Sequence, residues 1–130
     1  MTPRVEPVDV ANAVRARVPA ALDAYVYTRK NVLRGGIVDP GLKELCFRYL
    51  AEEPEVVSFA DSDRFDERER AALQWTRAIA WDSELADDEL WERLHALFSE
   101  LELVELGCAI GFELGQQHWR RTLGLPARDA

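Results

Sequence analysis

A chain of 130 residues, 48% of them apolar, is long enough for one domain around one core and too apolar for a disordered polymer. Its formal charge is −8, with 16 basic residues interspersed among 24 acids, which argues against the concentrated positive field that nucleic acid or an anionic membrane requires. No run approaches the ~18 uninterrupted apolar residues of a membrane span, and "MTPRVEPVDV" lacks the basic and apolar regions of a secretion signal, so a cytoplasmic protein is expected.

In chain order, residues 1–7, with Pro3 and Pro7, are predicted to form a flexible tail, followed by one helical domain over 8–125 and a short tail over 126–130. A helical piece runs from about Asp9 to Arg17, and Pro19 then opens a second helix carrying Leu22, Tyr25, Val26, Arg29 and Leu33 at helical spacing. "RGG" at 34–36 stops it, with Gly35 predicted as the left-handed cap. Asp39 is an N-cap and Pro40 a first helical residue. The stripe Leu42, Leu45, Cys46, Tyr49 and Leu50 that follows must face a core. Pro54 ends that helix or starts a short successor through Val56, Val57 and Phe59. Asp66 and Glu69 make a capping box for the next helix, whose apolar set includes Ala72, Trp75, Ala78 and Ile79. Asp87 or Asp88 opens a helix with Leu90, Trp91, Leu94, Leu97 and Phe98. Ser99 and Glu102 form the capping box of a long last helix that reaches about Leu123, before Gly124 and Pro126. The fold class is all-α, a single bundle of five to six helices with a long central C-terminal helix.

"ELGCAIGFELGQQHW", residues 105–119, places Gly107, Gly111 and Gly115 inside that last helix, where each glycine costs about 1 kcal/mol relative to alanine. At 3.6 residues per turn, Glu102, Glu105, Ala109, Glu113, Gln116 and Arg120 share a mostly charged face expected to meet water. Leu101, Cys108, Phe112 and Trp119 form one apolar flank, and Leu103, Leu106, Ile110 and Leu114 the other. Between the flanks run Val104, the glycines and His118. Two readings fit this groove: a second helix packs closely into it, or it walls a cavity for a small molecule.

His118, at the end of the groove, is either a hydrogen-bonded structural histidine or a general acid–base group at a pocket mouth. His95, beside Trp91 and Leu94, reads as a surface or rim residue. Two histidines without ligand spacing, and no glycine-rich loop after a strand, leave no expected metal or cofactor. Arg120 and Arg121, with Arg128 beyond, are too small a basic group to restore a nucleic-acid reading.

Taken together, "LRGGIVDPGLKEL", "FDERERAALQWTRAIAW" and "FSELELVELGCAIGFELGQQHWRRTLGL" resemble the carboxymuconolactone decarboxylase and alkyl hydroperoxidase D-like family, over most of the chain from Pro19 to Leu125. The resemblance implies an all-helical fold that assembles as homotrimers or hexamers. It also implies, for the redox members, a CxxC at a helix N-terminus, a histidine just after it and a glutamate one helix earlier. Lys43-Glu44 matches the basic–glutamate pair that precedes the motif, and counting on from there puts Val56 and Phe59 where the cysteines would stand and Asp63 in place of the histidine. Only Glu44 carries over. Without a vicinal thiol pair, dithiol peroxidase chemistry is expected to be lost.

Cys46 falls on the buried stripe and reads as core, whereas Glu44 points away from it and can pair with Arg48 at i+4. Three functions remain. The first is a cofactor-free enzyme acting on a small organic acid or lactone: His118 moves a proton, Glu44 or Glu69 assists, and Tyr49, Cys46, Gly111, Phe112, Gly115 and Trp119 wall the pocket. The second is a non-catalytic oligomeric binding or scaffold protein. The third is residual redox activity at Cys46 or Cys108 alone.

Overall fold

The computed structural model describes residues 7–128, and no strand occurs among them. The helices are α1 (Pro7–Arg15), α2 (Pro19–Thr28), α3 (Pro40–Leu50), α4 (Pro54–Val57), α5 (Glu67–Ala80), α6 (Asp88–Leu97) and α7 (Glu100–Thr122). Seven replace the expected five to six because Pro54 does open a separate four-residue helix. The predicted tail over residues 1–6 lies outside the described residues, and Pro7 is already the first residue of α1.

Local chemistry sets the boundaries. Asp66 and Ser99 each accept from the amide three residues on, and Glu69 and Glu102 reach back to the cap amides, so both capping boxes form. Asp87 caps α6 through the Leu90 amide at 2.9 Å. After Thr28 the chain widens into a π turn over Arg29–Leu33 rather than continuing as one helix to Leu33, and it closes with the Arg34 amide on the Arg29 carbonyl. The left-handed residue of "RGG" is Gly36 (φ 91°), not Gly35.

Helices α3, α5 and α7 contact one another, α6 packs on α5 and α7, and the π turn lies against α7 and α3. Leu42, Leu45, Cys46, Tyr49 and Leu50 are all buried, as their spacing requires. They meet Leu73, Leu94, Leu106 and Ile110, each contributing about 1.5–3 kcal/mol of apolar burial.

One cation is buried with them. Lys43 has no exposed surface; its Nζ donates to the Val32 carbonyl (2.7 Å), the Gly35 carbonyl (2.5 Å) and Glu105 Oε2 (3.1 Å). The Glu105 carboxylate also accepts from the Ile37 and Val38 amides at 3.0 and 2.7 Å. This node ties the 34–39 loop to α3 and α7. It also explains Gly36, where a Cβ would stand 1.7 Å from Glu105 Oε1.

The charged face of α7 therefore turns inward, opposite to expectation. Glu105 is held by Lys43, Glu102 by Arg68 at 2.7 Å, and Arg120 by the Pro126 carbonyl at 2.8 Å. Ala109 and Arg120 are buried. Partners of complementary polarity on neighbouring segments outweigh the pull of water on that face. The outward face carries Leu101, Val104, Cys108, Gly111, Gly115 and His118, with Leu101 72% and Val104 60% exposed.

The glycines divide accordingly. A Cβ on Gly107 would stand 2.9 Å from Trp75 Cη2, so close packing is realised there, against a side chain of α5. Nothing lies within 4 Å of a Cβ built on Gly111 or Gly115, so none of the described helices packs into that part of the groove. The predicted C-terminal tail is tied down as far as Arg128, whose Nη2 bonds Glu44 Oε1 at 2.5 Å.

Candidate functional site

The larger concavity is a cleft of about 770 Å³ between α3, α4 and its following turn, α5 and α6. Its apolar wall is built from Tyr49, Val57, Ala60, Leu73, Trp81 and Leu90. Tyr49 belongs to the buried stripe of α3, and its ring meets Trp81 with centroids 5.5 Å apart, tilted by 59°. Burial pushes the Tyr49 phenol above its ordinary value against the pull of Arg77, and Asp61 adds to the rise. It stays protonated at neutral pH as a donor.

Gln74, Arg77 and Arg93 bring polar groups to the same cleft, and Arg93 Nη1 donates to Gln74 Oε1 at 2.7 Å, linking α6 to α5. Glu52, Asp61, Asp87 and Glu89 line it too, beside Leu85, and outnumber the two guanidiniums. A free carboxylate ligand is thus disfavoured, and a neutral molecule that accepts hydrogen bonds is not. Glu52 sits at φ 60°, the left-handed position after α3 that glycine or asparagine usually fills.

The structure does not bring the three catalytic candidates together. His118 is exposed on the outer face of α7 and lines neither this cleft nor the second, smaller pocket. Glu69 spends its carboxylate on the Asp66 amide at 2.9 Å. Glu44 pairs with Arg128 rather than Arg48, which instead meets Glu53 at 2.8 Å, because the C-terminal segment folds back over α3.

Of the six expected wall residues, Tyr49 alone lines the large cleft. Cys46 is wholly buried beside Thr76, its thiol pushed up to about 12 by desolvation, so it is core. Gly111 and Gly115 face open space. Phe112 stacks on Tyr25 at 6.3 Å, and Trp119 lies 4.9 Å from the Arg15 guanidinium, so both pack against α1 and α2 side chains. His95 is exposed, with its ring 4.5 Å from that of Trp91 and Nδ1 3.0 Å from the Trp91 carbonyl.

Neither a family model, nor a curated protein, nor a solved structure matches this chain. The cleft therefore has to be read from its own chemistry. Sequence reasoning missed Arg77, Trp81 and Arg93 as a group because Arg77 and Trp81, four residues apart at the end of α5, have no spacing that connects them to Arg93 of α6. The available signal was a tryptophan, Trp81, four residues after Arg77 at the end of α5, and the structure leaves it 50% exposed.

Proposed function

We propose that this protein is a self-associating, small-molecule-binding relative of the carboxymuconolactone decarboxylase-like family, with the cleft between α3, α5 and α6 as its ligand site. One observation carries the reading. Val57, between the two positions where the resemblance would put the redox cysteines, and Ala60, just after the second, wall the cleft, and Tyr49 and Trp81 face the same space. Chemistry based on two thiols has no support there: Val56 is buried core, and Phe59 lies under the Arg64 guanidinium at 3.6 Å.

The ligand that suits this wall is a small, planar, neutral molecule of lactone type. Its ring would lie against Tyr49 and Trp81, and its carbonyl would accept from Arg77 or Arg93. The surrounding carboxylates disfavour the ring-opened acid. Proton transfer by His118 gains no support from its position on the outside of α7. Self-association draws support from that same outer face, which has no charged residue among its exposed positions from Leu101 to His118. It is a stretch where two copies of a −8 chain can meet without opposing acids.

Tryptophan fluorescence during titration with neutral lactones and with their ring-opened acids tests the reading. Lactones should quench saturably and the acids should not. Trp81→Phe should remove the signal, and Arg93→Ala should weaken binding by about tenfold, the value of one charge-assisted hydrogen bond. Equal response to lactone and acid, or an unchanged response in a folded Trp81→Phe variant, refutes the assignment. Conversion of the lactone during the titration would make the same cleft an active site.

A further inference from the structure

Between Leu101 and His118 the exposed positions of α7 are Leu101, Val104, Cys108, Gly111, Gly115 and His118, so their spacing alternates three, four, three, four, three. A repeat of about 3.5 residues makes a straight seam for a second helix crossing at a shallow angle of about 20°. The seam is about 26 Å long at the helical rise of about 1.5 Å per residue. Its first part is apolar, with Leu101 72% and Val104 60% exposed, and its second part is bare backbone at Gly111 and Gly115. Apolar surface continues on both sides of it. Ile37, 60% exposed, has its amide on Glu105, and Trp91, 47% exposed, meets edge-on the Trp75 ring that covers Gly107. The patch is thus wider than one helix, as an interface of about 800 Å² per partner requires.

Charge and side-chain size select the occupant and its direction. The uncharged seam is bounded by Glu100 at one end and Arg121 at the other, both exposed. Two copies laid antiparallel about a two-fold axis between residues 109 and 110 bring each Glu100 beside Arg121 of the other copy. The same register sets Val104 over Gly115 and Cys108 over Gly111, a side chain over bare backbone in each layer, with Leu101 against His118. In a parallel pair glycine meets glycine, and Glu100 approaches Glu105 of the other copy, like charge on like. Sliding the antiparallel pair by one heptad stacks Gly111 on Gly115 and leaves Leu101 unmatched.

We infer that this face takes a second copy of the chain, with the two α7 helices antiparallel about that axis and closing on Gly111 and Gly115. The geometry rests on the reading that copies of the chain meet through this face, and adds how they meet. Close approach of the two backbones supplies the contacts that offset what the two glycines cost the isolated helix.

Sedimentation equilibrium of the full chain tests it. The wild type should be a dimer or a larger even assembly, and Val104→Arg, at an exposed position, should give a folded monomer. Glu100→Arg and Arg121→Glu should each weaken association about tenfold at low salt, because each reverses two symmetric contacts. An equimolar mixture of these two variants should associate about as tightly as the wild type, since an antiparallel pair with one chain of each has both contacts attractive again. A monomeric wild type, or an assembly that Val104→Arg leaves intact, overturns the inference together with self-association through this face. Loss of association in Val104→Arg without recovery in the mixture overturns the antiparallel geometry alone. An isolated trimer overturns the two-fold axis.

Discussion

Replacing Lys43 with methionine isolates the interaction that joins the 34–39 loop to the bundle. The substitution keeps an unbranched stem in a site with no solvent exposure and deletes three hydrogen bonds, at 2.7, 2.5 and 3.1 Å. It leaves the Val32 and Gly35 carbonyls and one Glu105 oxygen without the ammonium. Breaking a buried ion pair from one side costs about 3–5 kcal/mol. The Glu105 side chain is 16% exposed and keeps the Ile37 and Val38 amides, which places the loss at the lower end, about 3 kcal/mol. For a domain of this size that corresponds to a fall in Tm of about 10 °C. Urea denaturation followed by far-UV circular dichroism gives the free energy, and calorimetry gives Tm. Adding Glu105→Gln should cost less than the sum of the two single changes by at least about 1 kcal/mol, because the second change removes a charge the first has stranded. A Lys43→Met variant within about 1 kcal/mol of the wild type, or strictly additive singles, refutes the argument that this cation is held by its partners.

The glycines of α7 should separate on substitution. Gly111→Ala and Gly115→Ala should each stabilise the monomer by about 0.5–1 kcal/mol in dilute urea titrations, while Gly107→Ala should gain nothing or lose stability, because its new methyl meets Trp75 at 2.9 Å. Gly111→Leu should stay folded yet sediment as a monomer if that face joins copies of the chain; unchanged sedimentation of an associated wild type would place the interface elsewhere. Acid stability follows from two carboxylates. The Ser99 amide, then Arg68, holds Glu102 below the ordinary 4.5; for Glu105, burial raises the value but the Val38 and Ile37 amides and Lys43 outweigh it. Both groups are therefore ionised more readily when folded, so their stabilisation is complete above pH 4.5 and drains as pH falls through the lower folded values. Glu102→Gln should flatten that acid limb of a pH–stability curve, and an identical limb would refute the assignment. A Cys108→Ser variant should take up no thiol reagent at pH 8 until it is unfolded, because Cys46 is wholly buried with its thiol near 12; prompt labelling of the native variant would contradict that burial.

Periodicity and capping chemistry determine the elements of this protein from sequence alone. The α3 stripe from Leu42 to Leu50, the Asp66–Glu69 and Ser99–Glu102 boxes and the all-α class follow from interactions within about four residues, which a sequence displays directly. Which face of α7 turns inward does not follow. Its charged face looks like a solvated one until Lys43 from α3 and Arg68 from α5 are placed opposite it, and those contacts span 62 and 34 residues. The same holds for both cavities, where Tyr49 meets Trp81 and Arg15 joins Arg120 and Arg128 only after the helices pack. Local hydrogen bonds and helical spacing are written in consecutive residues, so the sequence determines them. Polarity, by contrast, is settled by the partner a side chain finds, and the tertiary arrangement alone supplies that partner.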